Sequence, residues 1–522
     1  MNKIKNPVLT GFHPDPSLLC VGKDFYIANS TFEYYPSVEI SHSRDLANWD
    51  HVGSVLTEKQ LNLIGDTASG GVWAPCLSYC DGIYYLVYTD VKTWRDEPFK
   101  DTHNYITQSR SITGPWSEGV YVTSSGFDAS LFHDTDGKKY FVSMEWDWRK
   151  VGGDQFSGIL VTELDPQTLQ PKSSSVNVFK GSQRKLTEGP HIFKKGDYYY
   201  LITAEGGTSY AHAVTIARSK SVYGPYEMHP QIHLATSDGN KDAPVKKTGH
   251  GSLCEGPDGR WFLATLCGRP VDETLCCPLG RETAINEIVW RNDWPYLQNG
   301  TTEMSEYFTG YGEKAEEEKE ILYNFNASSF KTDFMSLRQK CNYAVVDNAL
   351  VLQGGESPHS CHKQSFLGRR QTDFHFQCTV TMEFNPTNFQ QLAGINYRYD
   401  EENYYYLFVT NDGYDEGKSL HIMSRQKGKY SLPLGEKGLS LPEYQGSITL
   451  RVETHAAKAV FSYALDGKNF IEIPYVLDVH FLSDEMATPM GFTGAFIGMQ
   501  VCDLQYMRKK ALFKNFKYVQ LS

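Results

Sequence analysis

One phrase recurs five times in the first three hundred residues and constrains the fold more than any other feature. It is a turn glycine followed by aromatic and aliphatic residues. It reads Gly22-Lys23-Asp24-Phe25-Tyr26-Ile27, then Gly82-Ile83-Tyr84-Tyr85-Leu86, then Gly137-Lys138-Lys139-Tyr140-Phe141-Val142. The last two copies are Gly196-Asp197-Tyr198-Tyr199-Tyr200-Leu201 and Gly259-Arg260-Trp261-Phe262-Leu263. The spacings are 60, 55, 59 and 63 residues. Each glycine lies between two short apolar runs, which is a hairpin pattern. A unit of this length holds about four short strands and their turns, one blade of a β-propeller. Five copies predict five blades.

In a propeller blade the first strand usually lines the central channel. Stepping back seven to nine residues from each turn glycine reaches Asp15, Trp73, Asp128, Glu188 and His250 in turn. Each blade thus sends one residue to the same level of the axis. Carboxylates crowded at one place repel each other, so three of them gathered there belong to acid–base work or to metal binding. Glycoside hydrolysis needs two carboxyl groups astride the scissile bond, one protonated and one ionised. A third tunes the acid, and a Trp offers a platform for a sugar ring. Asp15, Asp128 and Glu188 are the candidate catalytic residues.

Composition narrows the partners. A net charge of -12 argues against nucleic acid, and 33 Tyr and 28 Phe suit both strands and sugar stacking. No apolar run is long enough to span a membrane. No apolar segment follows the N-terminal Met1–Pro7 stretch, so a cytoplasmic location is expected, with the 11 cysteines reduced. Cys76 with Cys80, and Cys276 with Cys277, lack the second pair or His cluster of a zinc site.

Four motifs carry a family resemblance. They are Phe12-His13-Pro14-Asp15-Pro16-Ser17, Leu186-Thr187-Glu188-Gly189-Pro190, Thr203-Ala204-Glu205-Gly206-Gly207-Thr208 and Gly280-Arg281-Glu282-Thr283-Ala284. With them the chain resembles the β-xylosidases of glycoside hydrolase family 43 over nearly its whole length. The resemblance implies an exo-acting, inverting 1,4-β-xylosidase acting on xylo-oligosaccharides. It makes Asp15 the general base, Glu188 the general acid and Asp128 the residue that tunes and orients the acid. Phe32, Trp73 and Trp146 are then walls of the first sugar subsite, and Arg281 and His250 contact the sugar and the acids. The family implies no required cofactor, although some relatives carry calcium near the axis. Asp134-Thr135-Asp136-Gly137 begins like a calcium loop but lacks the later ligands. Relatives also suggest a homo-oligomer, a dimer or tetramer.

The acidic stretch at 313–320 reads as the start of a linker. Beyond it, runs at 374–384, 404–409, 448–452 and 513–521 read as strands of an antiparallel, concanavalin-like β-sandwich. The expected division is a propeller at 1–312, a linker at 313–324 and a sandwich at 325–522. By resemblance, the sandwich lends an aromatic residue to the active-site mouth, with Phe496 the candidate and Phe492 the runner-up. Three readings compete. An α-L-arabinofuranosidase, or a dual enzyme, shares the family. The invertase and levansucrase group shares the layout but has an Asn-Asp-Pro-Asn-Gly signature absent at Asp15. A non-catalytic sugar-binding propeller has no need of three acids.

Overall fold

Each of the five glycine turns joins the first two strands of a four-stranded antiparallel sheet. The computed structural model describes residues 3–95, 98–316, 318–413 and 417–521. Gly22, Gly82, Gly137, Gly196 and Gly259 all take left-handed backbone, with φ of 66°, 77°, 86°, 59° and 83°. Glycine adopts that region without a steric penalty, which is why the repeat is legible through it.

The blades begin with Ser17–Val21, Gly71–Cys80, Ser130–His133, Glu188–Lys195 and Lys246–Glu255. Each sheet keeps its strands in simple up-and-down order. Two neighbour contacts repeat around the axis. The Leu18 and Leu77 amides donate to Ser252 Oγ and Ser17 Oγ of the preceding blade, at 2.7 and 2.8 Å. Ser252 Oγ and Ser130 Oγ donate to the carbonyls of Pro16 and Pro190 in the next blade, at 2.9 and 2.6 Å. The ring closes where Lys3–Lys5 pairs with Tyr307–Thr309. The Val8 amide also bonds the Thr283 carbonyl of the fifth blade at 2.8 Å.

The second half forms two large sheets packed face to face. The alternation is visible in His375–Glu383, where Phe376, Cys378, Val380 and Met382 are buried. The sandwich begins earlier than the sequence suggested. Glu320–Tyr323, expected in the linker, pairs with Lys510–Gln520, because Tyr323 is an apolar anchor only 2% exposed.

The two halves are joined through the backbone. Tyr34–Tyr35, between the second and third strands of the first blade, pairs with Phe334–Leu337 and extends a sandwich sheet. Tyr34 is fully buried there. This seam holds the sandwich over the end of the propeller where the acids lie.

Candidate active site

The carboxylates sit where the first strand of a blade has not yet settled into regular pairing. Asp15, Asp128 and His250 occupy left-handed backbone, with φ of 49°, 54° and 46°. In the fourth blade the left-handed residue is Gly189, at φ 57°, and Glu188 precedes it. Strain of about 1–3 kcal/mol per non-glycine residue of this kind persists only where surrounding structure enforces it. Its repetition around one axis marks a built site. The structure also refines the sequence phase: Trp73 and Glu188 stand one residue upstream of the position held by Asp15, Asp128 and His250.

All five axial residues line one pocket with Phe32, Ala74, Phe127, Thr208, Arg281 and Phe492. Its volume, mouth included, is about 360 Å³. That is the low end of small-molecule sites. A chain end fits such a pocket better than the middle of a polymer.

The acids lie in unequal surroundings. Arg281 donates from Nη1 and Nη2 to the two oxygens of Asp15 at 2.8 and 3.3 Å. Ser30 Oγ donates to Asp15 Oδ2 at 2.6 Å. Burial pushes the Asp15 carboxyl up, but Arg281, His250 and Ser30 outweigh it and hold Asp15 below the usual carboxylate range. Burial raises Glu188 to about 8, helped by the Asp15 charge and opposed by Arg281 and Lys100. Burial also carries Asp128 well up, reinforced by Glu188 and Asp15. His250 Nδ1 lies 3.9 Å from Asp15 and 4.0 Å from Asp128. Burial keeps His250 low despite Asp15, so the imidazole is neutral at pH 7. The pocket thus holds an ionised carboxylate opposite carboxyls that retain protons.

One sandwich segment closes the pocket, and here two sequence expectations are corrected. Phe496 was expected at the mouth, but it is fully buried and stacks on Tyr34 with ring centroids 4.0 Å apart. It belongs to the seam between the two halves. Phe492 lines the pocket instead, against Phe32 at 6.0 Å and Trp73 at 5.5 Å. Its carbonyl accepts from Arg281 Nη2 at 2.9 Å. Ser69 fixes two walls at once. Its Oγ accepts from the Phe492 amide at 3.0 Å, and its carbonyl accepts from the Trp73 indole at 2.8 Å. Trp146 was expected in the sugar wall, but it stands one layer back. Its ring packs on Phe127 at 6.2 Å and its indole donates to the Pro98 carbonyl at 2.9 Å. Phe127 takes the wall position. Sequence reading missed Phe127 and Thr208, although one directly precedes Asp128 and the other follows Gly206-Gly207.

Comparison with known proteins agrees with this arrangement. Residues 4–295 match the model of glycosyl hydrolases family 43. The chain belongs to glycosyl hydrolases family 43. Residues 322–519 of this family 43 glycoside hydrolase match a β-xylosidase C-terminal concanavalin A-like domain. It is 42% identical to a xylosidase/arabinosidase 43B of Humicola insolens, over 99% of this chain and 98% of that one. It is 41% identical to a β-xylosidase of Bacillus subtilis, over 99% of each chain. The crystal structure of a xylan β-1,4-xylosidase from Bacillus halodurans superposes with a TM-score of 0.94 at 42% identity, covering 99% of this chain and 100% of that one.

The calcium that the family resemblance raised finds poor ligands at this axis. Beside the acids the channel offers His191, whose Nδ1 lies 3.6 Å from Cys76 Sγ, and serine hydroxyls that serve inter-blade bonds. Calcium takes six to eight oxygen ligands. Among the described residues no cluster of three or more His, Cys, Asp or Glu is arranged to hold an ion.

Proposed function

We propose that this enzyme is an exo-acting, inverting 1,4-β-xylosidase that releases xylose from the non-reducing end of xylo-oligosaccharides. One observation carries the chemistry: in a single small pocket Asp15 is biased toward its ionised form and Glu188 toward its protonated form. Asp15 removes a proton from a water that attacks the anomeric carbon. Glu188 gives its proton to the glycosidic oxygen as the bond to it breaks. Both events occur in one displacement, which inverts the anomeric centre. Burial and the charge of Asp15 keep Glu188 protonated until then, and Asp128, itself carried up by burial, shares the pocket as the residue that orients the acid. Arg281 holds Asp15 in place and reaches Thr208 Oγ1 at 3.0 Å, beside the sugar position.

The closed, aromatic-walled pocket supports exo action, and relatives named as β-xylosidases support xylose as the sugar. A second reading, dual xylosidase and α-L-arabinofuranosidase activity, is favoured by the relative that carries both words in its name. The eleven free thiols, eight of them buried, suit a reducing, cytoplasmic setting.

Two measurements test the reading. Following hydrolysis of nitrophenyl β-xyloside by NMR, which releases one xylose per turnover, is expected to show α-xylose as the first-formed sugar; β-xylose formed first rules out inversion. Rates on nitrophenyl xyloside and nitrophenyl arabinofuranoside rank the sugars, and a much higher arabinoside efficiency overturns xylose as the first substrate.

A further inference from the structure

Outside the pocket, one pair of aromatic rings stands apart from the rest of the surface. Phe99 and Trp148 are 53% and 49% exposed, yet their rings pack at 5.0 Å and 33°. Among the described residues, no other two large apolar side chains this exposed are in ring contact. Scattered single hydrophobic residues are ordinary on a protein surface; a paired, solvent-facing aromatic platform calls for a ligand.

Its location says which ligand. The segment bearing Phe99 is tied to the outer side of the pocket wall. The Pro98 carbonyl holds the Trp146 indole, and Trp146 backs Phe127 of the pocket. Lys100 Nζ lies 4.4 Å above the Trp146 ring and donates to the Trp94 carbonyl at 2.8 Å. Trp94 in turn packs on Phe492 at 4.9 Å. The platform is therefore continuous with the rim. Lys100 is also the rim cation whose charge reaches Glu188. The residue that protonates the leaving oxygen faces the leaving group, so this side of the rim is the side on which the departing sugars lie.

We propose that Phe99 and Trp148 form a distal leaving-group subsite, which stacks a xylose unit of the substrate beyond the one next to the cleaved bond. The inference rests on the xylosidase reading above and on Glu188 as the acid. A pyranose ring presents apolar C–H faces, and two rigid rings present a matching surface at little entropic cost. The first departing sugar passes the Trp146–Lys100 rim, and the second meets the platform.

Chain length gives the test. The ratio of kcat/KM for xylotetraose to kcat/KM for xylobiose is measured in the wild type, in Phe99→Ala and in Trp148→Ala. Each substitution is expected to lower that ratio about three- to ten-fold, through KM, in line with one lost aromatic contact. Phe389→Ala, an exposed ring on the sandwich, serves as a control and is expected to keep the wild-type ratio. Circular dichroism and light scattering establish fold and mass for each variant. An unchanged ratio in both variants, with both substrates still cleaved, overturns the subsite alone. Equal losses on both substrates accompanied by a smaller mass assign the pair to a contact between copies of the chain, and also overturn it. A wild type that cleaves neither substrate overturns the xylosidase reading and the subsite together.

Discussion

Among the buried clusters of charge in this molecule, one at the propeller axis and one under the sandwich sheets are built on opposite plans. In the sandwich, Glu401 receives Arg338 Nη1 at 2.7 Å, Arg398 Nη2 at 3.0 Å and Gln364 Nε2 at 3.2 Å. Burial pushes its carboxyl up, but the two guanidiniums prevail and hold it down at about 2. At the axis, Arg281 is committed to Asp15, and burial lifts Glu188 to about 8. No side chain among the described residues donates a hydrogen bond to Glu188. A carboxylate balanced by cations is a fixed structural charge. One left without balance keeps a proton it can give away. The difference is stoichiometric, and each half of it can be broken separately.

The largest effect is expected at the unbalanced acid. Glu188→Ala should lower kcat/KM on xylobiose about 10²- to 10⁴-fold. The loss should be much smaller on nitrophenyl xyloside, whose leaving group departs as an anion without a proton. Asp15→Ala should hit both substrates alike, because activating the water does not depend on the leaving group. Equal losses for Glu188→Ala on the two substrates would falsify its role as acid.

The balanced cluster should respond in stability. Arg338→Met leaves Glu401 with Arg398 as its one remaining guanidinium, so the loss should fall at or below about 3–5 kcal/mol, the cost of a fully stranded buried charge. Urea unfolding measures it. The pH dependence of kcat/KM should stay in place, because this cluster tunes no catalytic group. A shifted profile would mean the two clusters are coupled through the Tyr34 seam.

The acid cluster should show the reverse trade. Glu188 has its folded value raised, so its contribution to stability is complete below its unfolded value near 4.3 and is lost as pH climbs toward about 8. Glu188→Gln removes that penalty. It is expected to gain about 0.5–2 kcal/mol at pH 8, and little at pH 4, while losing activity. Thermal unfolding at the two pH values tests the sign; a loss of stability at pH 8 contradicts it.

The contrast between the clusters also explains what was legible in the sequence. The acids were readable because every blade repeats the same strand, so position relative to Gly22, Gly137 and Gly196 carried Asp15 and Asp128 to one repeat position and Glu188 to the residue beside it, all in one pocket. Arg281 was readable from its motif. Phe492 was not separated from Phe496, since both sit in one Gly-rich stretch and only packing tells them apart. Phe496 opens the strand Phe496–Asp503 and is consumed by the Tyr34 contact. Phe492 lies in the loop before it, after Pro489 and Gly491, and loop residues more often serve a site. That turn signal was available. Trp146 failed for a related reason: nothing in Met144-Glu145-Trp146-Asp147 says that Phe127 stands in front of it. The Arg338–Glu401–Arg398 cluster had no signal, because Arg338 reaches Glu401 across 63 residues with no repeat to set their phase, and Arg398, three residues from Glu401, gives no hint of that partner.

The finest test of the comparison concerns Lys100, the cation acting on the unbalanced acid that is not already paired with Asp15. Lys100 is itself lowered to about 8, by burial and against the pull of Glu188, and its charge favours the ionised form of Glu188. Glu188 must be protonated to act, so kcat/KM on xylobiose should fall as pH rises through about 8. Asp15 must be ionised, so activity should persist well into acid. In Lys100→Met the ionised form of Glu188 loses a stabilising charge. The alkaline limb should therefore move to higher pH, while the acid limb stays where Arg281 sets it. Arg338→Met, measured alongside, should leave both limbs in place. An alkaline limb that stays put or moves down in Lys100→Met would show that Lys100 does not govern the proton on Glu188, and that burial and Asp15 alone keep the acid charged with its proton.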